Sequence, residues 1–265
     1  MITIEESYLG ALEREKKYIN AIRNTKNYNL GNILKSLHSD NVRKFLYLFF
    51  NNKEVKKAKY CLYVAGKCDE YRFKYFKKSN PNIQRAFYNL LSDSSELINS
   101  FIDWEFNDHN YWVNQGSPVI IIQEILKDNT KKALELLDTF DDVHKKYPLK
   151  EKDSEMLRAI IKKDKKEVEK LLEFFLLTKN HKKVNDALML STQLFSLHAT
   201  GYAKLAWIKG IEVNIEHSLL PMELLPINPN EDYEIEYDFL KPDYNSNNDI
   251  NNSEKTKGIF GKWFK

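Results

Sequence analysis

The residues best placed to do chemistry are the carboxylates and imidazole of Asp103-Trp104-Glu105-Phe106-Asn107-Asp108-His109. Such a set can pass protons or hold a divalent metal. Neither chemistry is completed elsewhere in the chain. No second ligand group stands at a telling distance, and His38, His109, His144, His181, His198 and His217 are scattered without paired spacing. The run reads as a polar helix end or loop beside aromatic core residues. Nucleotide cradles of the GxxxxGK[ST] or GxGxxG type are missing, as are GxSxG, HExxH and CxxC. The sequence therefore names no catalytic residue, no metal ligand and no cofactor.

Two charged stretches offer binding in place of catalysis. Lys53 to Lys78 holds nine basic residues against three acids, interleaved with Tyr60, Tyr63, Tyr71, Phe73, Tyr75 and Phe76. Phosphate contact with base stacking would use that mixture. An amphipathic helix with aromatics inward and lysines outward explains it as well, and is preferred because no nucleic-acid motif accompanies it. The second stretch is the reverse. Glu231, Asp232, Glu234, Glu236, Asp238 and Asp243 are opposed only by Lys241. Such a ribbon can dock a basic protein and steer its approach, or be the solvated face of a terminal strand. Glu212 stands in a similar alternating strip further upstream, where it can pair with a neighbouring helix or face a partner.

These residues must be positioned by helices. Ile4, Tyr8, Leu12, Tyr18 and Ile22 follow one helical face. A second helical stretch, Asn29 to Phe50, predicts a break at Ser39-Asp40, and Lys53 to Lys78 is a third. Ser79-Asn80-Pro81 and Gly116-Ser117-Pro118 read as helix starts, and Asp153-Ser154 as a cap for a helix from Glu155. A spacing of 35 residues links Leu90, Ile125, Ile160 and Phe195, with parallel columns such as Ile98, Ala133, Val168, Ala203. Polar breaks fall at Asp93-Ser94, Asp128-Asn129 and Lys163-Asp164. That is the spacing of stacked helix–turn–helix units, though antiparallel helices of similar length can imitate it.

After Gly210 the texture changes. Ile211, Val213 and Ile215 alternate with polar residues, Pro221, Pro226 and Pro229 exclude a continuous helix, and Tyr233, Ile235, Tyr237 and Phe239 alternate with acids. The predicted fold class is all-α, of antiparallel stacked helix pairs with a short extended, Pro-rich C-terminal segment. One helical domain is expected over 1–243, with N-terminal helices in 1–115 and the helix-pair array in 116–243. A polar, disordered linker follows at 244–257, then an aromatic–basic tip at 258–265.

Composition sets the outer bounds. The chain has 265 residues, 42% hydrophobic, with 41 Lys and Arg against 38 Asp and Glu. That is enough to bury a large core, and the balance demands neither nucleic acid nor a membrane. Cys61 and Cys68 lie on one helix, about 10 Å apart by helical rise, too far for a disulfide. With no apolar leader near Met1 and no apolar run of spanning length, a cytoplasmic location without stable membrane association is expected. No oligomeric state can be read from the sequence.

The run Tyr202-Ala203-Lys204-Leu205-Ala206-Trp207-Ile208-Lys209-Gly210-Ile211-Glu212-Val213 leads into Leu220-Pro221 and Leu224-Leu225-Pro226, then Tyr233 and Tyr237-Asp238-Phe239-Leu240. This pattern resembles the C-terminal part of the immunity protein 49 family of bacterial polymorphic toxin systems. The helical stretch before it, including Leu157–Ile161 and Val168–Leu172, is compatible with that family's helical body, and the first hundred residues add little. The resemblance implies a non-enzymatic inhibitor that binds a cognate toxin domain and needs no cofactor. It supplies no contact residues. Those proposed from charge are Glu231, Asp232, Glu234, Glu236, Asp238 and Glu212. A helical-repeat scaffold or adaptor is the alternative function, and a nucleic-acid-associated helical protein using Lys53 to Lys78 ranks behind it. Within the run, Gly210 should end a helix, and Leu205 and Trp207 should be core.

Overall fold

A computed structural model describes residues 2–24, 28–76, 82–106, 109–185 and 190–241, with backbone only at 109–111. The signal at Ser79-Asn80-Pro81, the linker at 244–257 and the tip at 258–265 lie outside the described residues. The chain divides into two compact units, one of 1–80 with 230–265 and one of 81–229. Among the described residues every regular element is helical.

In the first unit α1 (Ile4–Asn24) packs on α2 (Leu30–Leu46), and α2 on α3 (Val55–Phe76). Asn29 caps α2 by accepting the Asn32 N–H. One π turn, Tyr47–Asn51, carries the chain from α2 toward α3. The expected break at Ser39-Asp40 does not occur. The Ser39 hydroxyl donates back to the Lys35 carbonyl, and the buried Asp40 carboxylate is neutralised by Arg14 and Arg43. A helix tolerates both residues once their polar groups are satisfied. Along α3, Tyr63 and Tyr71 turn inward and Lys56, Lys57 and Lys74 outward, as an amphipathic helix requires. Lys59 and Arg72 depart from that pattern and are buried, Arg72 beside Asp69 at 3.4 Å.

The second unit begins with α4 (Ile83–Leu91) and α5 (Ser95–Ile102), followed by α6 (His109–Asn114). Then come α7 (Val119–Leu126) and α8 (Thr130–His144), α9 (Pro148–Lys162) and α10 (Lys165–Leu176). Two short helices, α11 (Thr178–Val184) and α12 (Leu190–Leu194), lead to α13 (Leu197–Ile208). Three connections share one geometry. Asp93, Asp128 and Lys163 each take a left-handed backbone, with φ of 59°, 58° and 55°. Their N–H groups reach the carbonyls of Leu90, Ile125 and Ile160. The next residue, Ser94, Asn129 or Asp164, caps the following helix by accepting an N–H three residues on. These are the polar breaks of the 35-residue spacing. The fourth member of that series, Phe195, is buried but is followed by no such turn, because the register would place it at His198 inside α13.

Two start signals shift. Pro118 itself is the N-cap of α7, without a side-chain cap. Asp153-Ser154 is not a cap, because α9 starts at Pro148 and runs through both. A proline at the first helical position provides the earlier start. Asp153 is instead a buried acceptor: its Oδ1 takes Nε2 of His198 at 2.7 Å and the Tyr202 hydroxyl at 3.0 Å. Phe87 meets both rings edge-on, while Phe175 meets His198 edge-on and stacks on Tyr202. Close approach of α4 to α13 depends on Gly201, where a Cβ would lie 1.9 Å from Phe87 Cγ.

Candidate partner-binding surface

The family-like run forms α13 and its exit. Gly210, at φ 81°, ends the helix in a Schellman arrangement: the Ile211 N–H reaches Ala206 O at 2.8 Å and the Gly210 N–H reaches Trp207 O at 3.0 Å. Leu205 is fully buried and Trp207 half-buried. Beyond Gly210, Ile211, Val213 and Ile215 point inward while Glu212, Asn214 and Glu216 are exposed. The strip is extended but joins no ladder. Its backbone is held by Glu169 of α10, which accepts the Asn214 N–H at 2.8 Å.

The proline segment is routed by a residue that periodicity does not single out. Lys204 sits on α13 with no exposed surface and ion-pairs with the buried Asp93. Its ammonium also donates to the carbonyls of Leu224, Leu225 and Pro226 at 3.0–3.2 Å. The second oxygen of Asp93 accepts the Asn228 N–H at 3.2 Å. One buried ion pair thus fastens the chain from 224 to 228 to a turn more than 130 residues earlier. A lysine inside an otherwise apolar helical run was the available signal, and its partner could not be read from sequence.

The acidic strip lies in the first unit, where it runs along α3. Asn230 donates to the Lys56 carbonyl at 2.9 Å, the Tyr60 hydroxyl donates to the Glu234 carbonyl at 2.8 Å, and Tyr233 packs on Tyr63 with ring centroids 4.8 Å apart. Tyr237, Phe239 and Leu240 are buried, while Glu231, Asp232, Glu234, Glu236 and Asp238 are exposed. The predicted alternation of an apolar inner face and an acidic outer face is therefore present without a strand, and the strip closes in a 3-10 turn at Asp238–Leu240. Burial, with the charge of Glu236 added, pushes the Tyr60 hydroxyl up to about 12. Lys241 at 2.8 Å lowers the Asp238 pKa. The Lys56–Glu231 pair at 3.7 Å is open to water on both sides and adds little. Glu236 and Asp238 also rim a notch of about 210 Å³ over Ile19 and Ile22 of α1. Of the six proposed residues, five belong to this unit and Glu212 to the other.

Of the acidic–imidazole run, Asp103 and Glu105 are exposed and Phe106 is buried, and Asn107 and Asp108 lie outside the described residues. No group of three metal-ligating side chains occurs among the described residues, and none of their helices is long and apolar enough to cross a membrane. Both cysteines are free and buried; burial pushes the Cys61 thiol up to about 12 and Cys68 higher still.

Residues 109–224 match the family model described as immunity protein 49. The matched region runs from α6 to the turn at Met222–Leu224, a little under half of the chain, and over it the chain is similar to that family. The region includes α13, Gly210 and Pro221, and stops before Pro226, Pro229 and the acidic strip. No curated protein and no solved structure matches the chain.

Proposed function

We propose that this chain is a cytoplasmic immunity protein that neutralises a cognate bacterial toxin domain by binding it directly. The family match over residues 109–224 carries the reading. Such an inhibitor acts by occupying the toxin, so it requires no catalytic group or cofactor. The toxin-contacting side chains we propose are Glu231, Asp232, Glu234, Glu236 and Asp238, with Glu212 as a further contact. The support for them is exposure in an acidic row on an anchored backbone, which would meet a basic partner without reordering and speed its approach. Co-expression with the toxin encoded beside it should restore growth and yield a co-purifying complex. Unchanged killing with soluble protein present would remove the proposal. Within that complex, the combined change Glu234→Lys, Glu236→Lys, Asp238→Lys should weaken binding by about tenfold or more, at unchanged helicity. Full-strength binding by the folded triple variant would exclude the strip as the interface.

One observation favours a second reading, a helical-repeat scaffold. The left-handed turn and cap recur at Asp93-Ser94, Asp128-Asn129 and Lys163-Asp164. A scaffold would take a peptide in a groove of the stacked pairs and would give no protection against a toxin.

A further inference from the structure

The basic–aromatic stretch on α3 loses much of its force as a phosphate binder, because Lys59 and Arg72 are buried and Lys67 is paired with Glu70. A second cationic surface of the first unit lies between α1 and α2. An open groove of about 560 Å³ is lined there by Arg14, Lys35 and Arg43, with Tyr18, Asn32 and Ser36 beside them. Its single acid, Asp40, has no exposed surface. The Asp40 carboxylate accepts Arg14 Nε at 3.0 Å, Arg14 Nη2 at 2.7 Å and Arg43 Nη1 at 2.7 Å.

That arrangement fixes two guanidinium groups, from two helices, on one buried anchor. Each side chain remains about 40% exposed, and each guanidinium has five N–H donors, most of them not used by Asp40. Gly10, one turn before Arg14, has no side chain to cover the outer nitrogen; a Cβ there would stand 3.1 Å from Arg14 Nη1. Lys35 is exposed on α2, one turn before Ser39, and its ammonium pairs with no carboxylate among the described residues. The lining thus holds three cations against one anion, and the anion is spent on orienting two of them. Forked arginines held in place, a free ammonium and neutral donors from Asn32 and Ser36 match the oxygens of a phosphoryl group. An aromatic ring, Tyr18, stands at the same groove for a planar group attached to it.

We propose that the α1–α2 groove binds a phosphate-bearing ligand, its phosphoryl oxygens taken by Arg14, Arg43 and Lys35. The site is independent of the toxin-binding proposal, since it lies outside the family-matched region and uses none of the acidic strip. The shared chemistry is the phosphoryl anion, which could be free or part of a nucleic-acid backbone. Binding to the full chain should be measured by calorimetry at low ionic strength with pyrophosphate, with ADP and with a short oligothymidylate. Saturable binding of pyrophosphate or ADP marks a small-ligand site, and binding of the oligonucleotide alone marks a phosphodiester track; either supports the proposal. Lys35→Glu does not touch Asp40 and should leave the thermal midpoint unchanged while weakening binding by about tenfold or more. Arg43→Gln, the second variant, should weaken binding similarly but also lower the thermal midpoint, because the buried Asp40 loses one of its two guanidinium partners. Lys131→Glu, an exposed lysine of α8, should have no effect. Absence of saturable binding to all three probes, or equal weakening by Lys35→Glu and Lys131→Glu, would overturn the proposal.

Discussion

The Lys204–Asp93 pair shows what one buried charge does when its partner is far away in sequence. Neither side chain reaches water, so removing one leaves the other uncompensated. Lys204→Met should cost about 3–5 kcal/mol in a chemical denaturation curve, and adding Asp93→Asn should recover part of that loss. An unchanged midpoint in the single variant would mean the pair does not hold the 224–228 segment. The buried thiols and Tyr60 set an alkaline limit. Their folded pKa values lie above the ordinary 9.0 and 10.0, with Cys61 and Tyr60 at about 12. Unfolding therefore releases protons above about pH 9, so their contribution is intact below that pH and is lost as pH rises toward 12. Thermal midpoints should be flat with respect to these groups below pH 9 and fall above it. Cys61 and Cys68 should resist a thiol reagent at pH 8 until denaturant is added.

Among the elements, the three turns at Asp93, Asp128 and Lys163 make the clearest comparison. Asp tolerates the left-handed region through its short polar side chain, and Lys does not. Lys163→Gly should therefore stabilise the protein by about 1 kcal/mol, read as a raised denaturation midpoint, whereas the same substitution of Asp93 would remove the partner of buried Lys204 and lower the midpoint. Much at this scale was legible. Helical faces, the 35-residue recurrence of turns, the stop at Gly210 and the alternation at 211–216 all follow from local patterns of apolar residues, caps and glycine. What was not legible depended on distant groups. The break expected at Ser39-Asp40 is absent because Arg14 reaches across from another helix, and the cap expected at Asp153 is a buried acceptor because His198 and Tyr202 come to it from α13. Short-range signals at those positions were ambiguous, and tertiary partners decided them.

At the scale of the whole molecule, the chain returns at residue 230 to the unit formed by its first eighty residues, carrying the acidic strip with it. No periodicity announces such a return, because the Tyr60–Glu234 and Tyr63–Tyr233 contacts span more than 160 residues. The absence of catalytic motifs and the C-terminal pattern were legible, and the latter coincides with part of the family match at 109–224. The strip's exposed row of acids was legible as an alternation; Glu212 was not legible as belonging to a different unit. The central claim is that the chain silences a toxin by occupying it. The most direct measurement is a titration of the purified toxin domain from the neighbouring gene with this protein, reading the toxin's own activity. The account predicts a linear fall that reaches zero at one equivalent; full toxin activity in the presence of a large molar excess of folded protein would contradict it.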